Sequence, residues 1–153
     1  MGPRRIVVVV GPGMDEVAAE ARTAVPDAAI AVQQERRGTA DAVAAARDAA
    51  AEVAATTMVL YGDVPLVRPE TLARLVAAVD GGTKLAVLGF EATDPTGYGR
   101  LILDKAGRLG AIREELDATP EERAGRLCNS GLMAIDTSLL WRLLPLIGED
   151  NAK

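Results

Sequence analysis

Ile6-Val7-Val8-Val9-Val10-Gly11-Pro12-Gly13 sets five β-branched residues against an abrupt break. Such side chains are stiff at χ1 and pack well on a pleated surface, so an unbroken run with no polar alternation reads as a buried interior strand of parallel type. Gly11-Pro12-Gly13 lacks the third glycine of a dinucleotide loop and the Gly-Lys-Ser/Thr of a P-loop, and reads as a plain turn. Val17, Ala18, Ala21 and Val25 recur at helical spacing, which predicts a helix over 14–24. Pro26-Asp27 stops it before a second strand at 29–32. Strand, turn, helix and strand in that order open an α/β fold.

The rest of the chain extends the pattern. Gln33 to Gly38 is a polar turn, and Thr39 is placed as the N-cap of a long Ala-rich helix to Ala54 with Ala42, Val43, Ala46 and Val53 on one side. A strand follows from Met58 to Tyr61, and Gly62-Asp63 sits where it gives out. Pro69 opens a helix reaching about Val79, with Leu72, Leu75 and Val76 as its apolar face. Beyond Asp80-Gly81-Gly82 the rhythm becomes sheet-like, with strands expected at 85–90, 100–103, 109–113 and 127–135. Asp104-Lys105-Ala106-Gly107 is a hairpin turn between the second and third of these, and short helices are expected at 120–126 and 138–144.

Composition narrows the chemistry. Aromatics are 3% of the 153 residues and hydrophobics 49%, so one core of Ala, Val, Leu and Ile is expected, suited to packed helix and sheet layers. The net charge of −5, with basic residues scattered, excludes the phosphate-tracking stripe of a nucleic-acid binder. With no histidine, Ser-His-Asp triads, Cys-His dyads and His-based zinc sites are all excluded. Cys128, the one cysteine, reads as a small buried filler, and no secretory leader is visible, so the cytoplasm is the expected compartment. The five-residue run at Ile6–Val10 is far short of the roughly 20 residues that span a bilayer, so no membrane insertion is expected.

Asp63 is the most informative carboxylate. Gly62 permits close backbone approach and Pro65 stiffens the exit, leaving an acid where ligands of open α/β sheets gather. An acid there can hold Mg²⁺, which keeps most of its waters and bridges to phosphates, or it can merely cap the next turn. Gln33, Gln34, Gly38 and Thr39 form a polar cluster that either reads a base edge or is an N-capped loop. Thr96-Gly97-Tyr98-Gly99-Arg100 fits a close backbone approach or a bulged strand entry. Glu114-Glu115 with Asp117 reads as solvated loop, and Asn129-Ser130-Gly131 as a simple turn.

Taken in order, Gln33 to Thr39, Tyr61-Gly62-Asp63-Val64-Pro65-Leu66, Asp94-Pro95-Thr96-Gly97-Tyr98-Gly99-Arg100, Asp117-Ala118-Thr119-Pro120 and Asn129-Ser130-Gly131 carry a sharper signal. From about Arg4 to Lys153 the sequence resembles the uridylyltransferase domain of bacterial bifunctional N-acetylglucosamine-1-phosphate uridylyltransferases. The resemblance implies a Rossmann-like, GT-A-like three-layer α/β fold on a mixed, mostly parallel sheet, with a nucleotide-binding half at 1–80 and a sugar-binding half at 81–153. It implies transfer from UTP to N-acetylglucosamine 1-phosphate, giving pyrophosphate and UDP-N-acetylglucosamine, a peptidoglycan precursor for the cell wall. Gln33 and Gly38 would contact uracil, Tyr61 and Gly62 would line the nucleotide site, and Thr39, also of the nucleotide-binding set, would lie near the sugar. Asp63 would be the catalytic Mg²⁺ ligand, and Gly99, Glu114 and Asn129 would hold the N-acetylglucosamine moiety.

Departures from the pattern matter. The Leu-Ala-Ala-Gly-x-Gly-Thr-Arg-Met loop, the second metal ligand (an Asn) and the left-handed β-helix domain are not found in this sequence, which implies a partial domain without turnover of its own. Asp41 stands where His is common and Leu116 where Lys is usual. Lacking a central first strand, the sheet would present open edges, so self-association is expected. The alternatives are a nucleotidyltransferase for another sugar 1-phosphate, or a non-catalytic remnant that keeps a nucleotide groove.

Overall fold

The structure, a computed structural model, describes residues 2–35, 37–50 and 54–148. It is an α/β chain with strands β1 (Val7–Val10), β2 (Ala29–Val32), β3 (Thr56–Val59), β4 (Leu85–Glu91), β5 (Arg100–Leu103), β6 (Leu109–Arg113) and β7 (Leu127–Asp136). Its helices are α1 (Asp15–Ala24), α2 (Thr39–Ala45), α3 (Arg47–Ala50), α4 (Pro69–Asp80), α5 (Pro120–Arg123) and α6 (Thr137–Leu143). Two compact units emerge, one holding the residues up to Thr57 and those from Asp136, the other Met58–Ile135. Among the described residues no helix is long and apolar enough to cross a membrane.

In the first unit β1 and β2 run parallel, Val7 opposite Ala29 and Val10 opposite Val32. Among the described residues the interior strand expected at Ile6–Val10 has β2 as its one neighbour in this two-stranded sheet, and of Val7–Val10 only Val10 is buried. A β-branched run reads alike with one partner or two, so the sequence pattern could not tell an edge from an interior strand. The single helix expected over 39–54 is broken. Ala46 N–H donates to Val43 O at 3.1 Å, a tightened i to i−3 bond that separates α2 from α3. Val53 lies outside the described residues. The N-cap is Gly38 and Thr39 is the first helical residue, because the chain enters α2 at φ 100°, a backbone conformation open to glycine.

The second unit is built around β7, whose Cys128, Leu132 and Ala134 are the most thoroughly buried of its apolar residues. β4 pairs antiparallel with β7, Ala86 opposite Ala134, and β5 pairs antiparallel with β6 and, at Arg100 and Cys128, with β7. Leu75 and Val79 of α4 pack on Ala134, with Ala86 and Leu88 of β4 alongside. Pro69 stands in the first turn of α4, where its missing N–H leaves no intrahelical bond unmade. The β5–β6 turn is fixed by Asp104, whose carboxylate accepts from Ala106 N and Arg108 N, each at 2.9 Å. Hydrogen bonds from the backbone and side chain of Arg108 hold that carboxyl below its ordinary 3.8.

Candidate functional site

The amide-rich cluster belongs to the first unit. Gln33 follows β2, its backbone N–H bound to Val10 O at 2.9 Å, so the parallel ladder fixes where its side chain begins. Gln33 Nε2 donates to Gly38 O at 3.0 Å and to Asp41 Oδ2 at 2.9 Å. Arg37 Nη2 donates to the other Asp41 oxygen at 3.1 Å. Gln34, Gly38 and Thr39 are exposed around this ring of contacts, and Arg36 lies outside the described residues. A cavity of about 520 Å³ elsewhere in the unit, lined by Arg47, Ala54, Asp136, Thr137, Ser138 and Trp141, contains none of the residues singled out in the sequence.

The remaining candidates belong to the second unit. Val64 N–H donates to Tyr61 O at 3.3 Å, closing a turn with Gly62 and Asp63 at its centre. Asp63 is exposed, and among the described residues its carboxylate has no ion pair or hydrogen-bond donor. No group of three or more Asp, Glu or Cys that could enclose a metal occurs among the described residues. The donor chemistry at Asp63 is that of a single hard oxygen ligand, which suits Mg²⁺ held jointly with phosphates and water and does not suit a protein-only cage.

Tyr61 is tied to the sugar candidates through Gly131. That glycine has φ +80°, and a Cβ on it would lie 3.0 Å from Tyr61 Cζ, so the Tyr61 ring occupies the space a side chain would need. Asn129-Ser130-Gly131 therefore follows the strand expected at 127–135 and not the alternative of a simple turn. It lies inside β7 as an irregularity facing a register shift in β4, with Ser130 Oγ donating to Leu88 O at 2.7 Å. Gly131 N–H donates to Asn129 Oδ1 at 2.9 Å, which leaves the amide NH₂ as the donor end of the Asn129 side chain. Asn129 N–H in turn donates to Gly99 O at 2.8 Å, and a Cβ on Gly99 would lie 3.4 Å from Glu114 Oε1. Tyr61, Gly99, Glu114 and Asn129 are thus brought together, with Asp63 on the turn that begins at Tyr61.

Two residues escaped the sequence reading. Arg100, which follows Gly99 and stands opposite Cys128 of β7, is 2% exposed. Its guanidinium donates to Tyr98 O, to Gly125 O at 3.0 Å and twice to Arg123 O at 3.3 and 3.0 Å. It also reaches Glu115 Oε1 at 3.5 Å. Glu115, expected as part of a solvated acidic run, accepts Gly97 N–H at 2.8 Å on its other oxygen. Only the position of Arg100 at the end of the Gly-Tyr-Gly string could have drawn attention to it. Just upstream, Asp94 accepts from Thr96 N at 3.0 Å, and hydrogen bonds from the side chain and backbone of Thr96 keep its carboxyl below 3.8. Tyr98 packs edge-on against Phe90 with centroids 5.0 Å apart.

A family model described as the MobA-like NTP transferase domain matches residues 1–126. The bifunctional protein GlmU of Bradyrhizobium sp. (strain ORS 278) is 55% identical over 148 residues, covering 97% of this chain and 33% of that protein. Its counterpart in Azorhizobium caulinodans is 53% identical over 152 residues, 99% of this chain and 34% of that protein. The Rhodospirillum rubrum counterpart is 50% identical over 155 residues, covering 100% of this chain and 34% of its own length. The chain thus spans about a third of the length of the curated relatives it matches. With the match running through most of its length, the chain belongs to the MobA-like NTP transferase domain family.

Proposed function

We propose that this chain carries nucleotide and sugar recognition for a sugar-1-phosphate uridylyltransferase, and that its substrates are UTP and N-acetylglucosamine 1-phosphate. The convergence of Gly99, Glu114 and Asn129 beside Tyr61 supports this reading most strongly. Glu114 offers a carboxylate acceptor to sugar hydroxyls, and Asn129 offers an NH₂ donor to a carbonyl such as that of an N-acetyl group. Tyr61 and Gly62 line the nucleotide, and Gln33, Gly38 and Thr39 meet the base and its surroundings.

The reaction is an in-line displacement. A phosphate oxygen of the sugar phosphate forms a bond to the α-phosphorus of UTP while the α–β bridging bond breaks and pyrophosphate leaves. The attacking oxygen is already anionic, so no protein base is required, in keeping with a chain that has no histidine. These residues contribute by holding the two reactants in register, the largest resource open to a site without a nucleophile. Asp63 would hold Mg²⁺, which when bound neutralises charge on the phosphates.

Because the Leu-Ala-Ala-Gly-x-Gly-Thr-Arg-Met loop is not in this sequence, binding is the appropriate test of the chain itself. Calorimetric titration should give binding of UDP-N-acetylglucosamine that is stronger with Mg²⁺ than without it, with UDP-glucose weaker. Asp63→Ala should abolish the Mg²⁺ enhancement. Absence of binding by either nucleotide sugar would dismiss the reading, and an enhancement unchanged in Asp63→Ala would dismiss the metal assignment.

A further inference from the structure

Gln33 is held in a single hydrogen-bonding sense. Its Nε2 lies 3.0 Å from Gly38 O and 2.9 Å from Asp41 Oδ2. A backbone carbonyl and a carboxylate can only accept, so the end of the amide that faces them must be the NH₂, and both of its protons are used. Among the described residues no donor meets Oε1. Asp41 is itself anchored, since Arg37 Nη2 binds its second oxygen at 3.1 Å. The backbone of Gln33 is fixed by its bond to Val10 O at 2.9 Å. A glutamine amide free to turn over offers a ligand either a donor or an acceptor. Fastened in this way, it offers an acceptor alone.

We infer that Asp41 is a specificity-determining positioning residue: with Gly38 O it locks the Gln33 amide so that Oε1 faces the base, selecting a base whose ring nitrogen carries a proton. Uracil presents such an N–H at N3, whereas cytosine presents a lone pair there, which would meet the lone pairs of Oε1. The inference rests on the nucleotide site proposed above and adds to it the device that sets the polarity of the reading side chain. A carboxylate at position 41 is well suited to this. A neutral imidazole, the more usual side chain there in the resembled pattern, can turn either a donor or an acceptor toward Gln33.

Parallel titrations with UTP and CTP test it. Asp41 is a quarter exposed, 26% by its side chain, so its substitution should leave the unit folded. The unchanged chain should favour UTP over CTP. In Asp41→Asn and Asp41→Ala the Gln33 amide loses its obligatory second acceptor, and the UTP-to-CTP affinity ratio should fall by about fivefold to tenfold. Asp41→Glu, which restores the acceptor, should recover the preference. If Asp41 only stiffened the loop, both nucleotides would weaken in parallel and the ratio would hold, overturning the inference while the nucleotide site stands. Equal affinity of the unchanged chain for UTP and CTP would also overturn it. Binding of neither would remove the proposed function together with this refinement of it.

Discussion

Replacing Arg100 by Met keeps most of the buried volume and deletes every donor. Three backbone oxygens, those of Tyr98, Arg123 and Gly125, then lose the guanidinium that meets them. A buried acceptor left unpaired costs about 1–3 kcal/mol, so the lower end of that range already amounts to roughly 3 kcal/mol. The Glu115 ion pair adds little. At 3.5 Å it is at the outer limit of a hydrogen bond, and the Glu115 side chain is 27% exposed and keeps its bond to Gly97 N–H. Urea unfolding followed by circular dichroism should therefore show Arg100→Met less stable by about 3 kcal/mol, with a thermal midpoint roughly 6–12 °C lower. A double-mutant cycle with Glu115→Ala separates the two contributions and should give a coupling below about 1 kcal/mol. A loss of less than about 1 kcal/mol in Arg100→Met, or a coupling as large as the whole loss, would refute the reasoning, since the three carbonyls would then not be what the guanidinium serves.

Two further substitutions probe the same unit. Gly131→Ala places a side chain against the Tyr61 ring at a backbone φ of +80°, so a loss of about 1–3 kcal/mol is expected, with weaker binding of UDP-N-acetylglucosamine. A two-dimensional NMR spectrum in which the Tyr61 resonances of that variant do not move would contradict it. Asp104→Asn should lower stability at neutral pH. Because the folded-state value of Asp104 lies below its ordinary 3.8, the stabilisation it gives is present above 3.8 and is lost as pH falls through the folded value. The gap between the two proteins in thermal unfolding should accordingly close in acid, and a gap that widened there would contradict the assignment.

Where local chemistry decides an element, the sequence was legible. The bounds of β5 and β6 and the Asp104–Gly107 turn follow from strand alternation and turn residues within a few positions of one another. α4 is announced by Pro69. The misreadings share a different cause. Gly38 takes the capping position from Thr39, and Gly131 makes an irregularity within the expected strand where a simple turn was the other reading, because a glycine signals freedom without saying how it is used. In the Ala-rich stretch after Thr39 propensity is uniform, so nothing local marks Ala46 as the point where the helix tightens. The second unit's candidates Gly99, Glu114 and Asn129 could be picked out through the order of motifs, but what holds them could not. The hydrogen bonds of Arg100 span up to 25 residues along the chain, and no pattern of period two or 3.6 encodes them.

That hidden arginine also lets a chain with 3% aromatic residues keep bent backbone in its interior. Without large rings to fill and mould the interior, curvature has to come from backbone, and bent backbone turns carbonyls inward where water does not reach them. Tyr98 lies on one such bend, and Arg123 and Gly125 on another, the turn that ends α5. Arg100 is one of few side chains with enough donors, in a fixed plane, to meet all three at once. With their carbonyls met by Arg100, the neighbouring segments can direct other groups to the surface, and the exposed Glu114 is among them. On this view the buried cation and the glycines of the motif form one device, in which glycine lets the chain turn and arginine makes the turned chain tolerable, so that substituting either should disturb the grouping of Gly99, Glu114 and Asn129 before it disturbs the packing of α4 on β7.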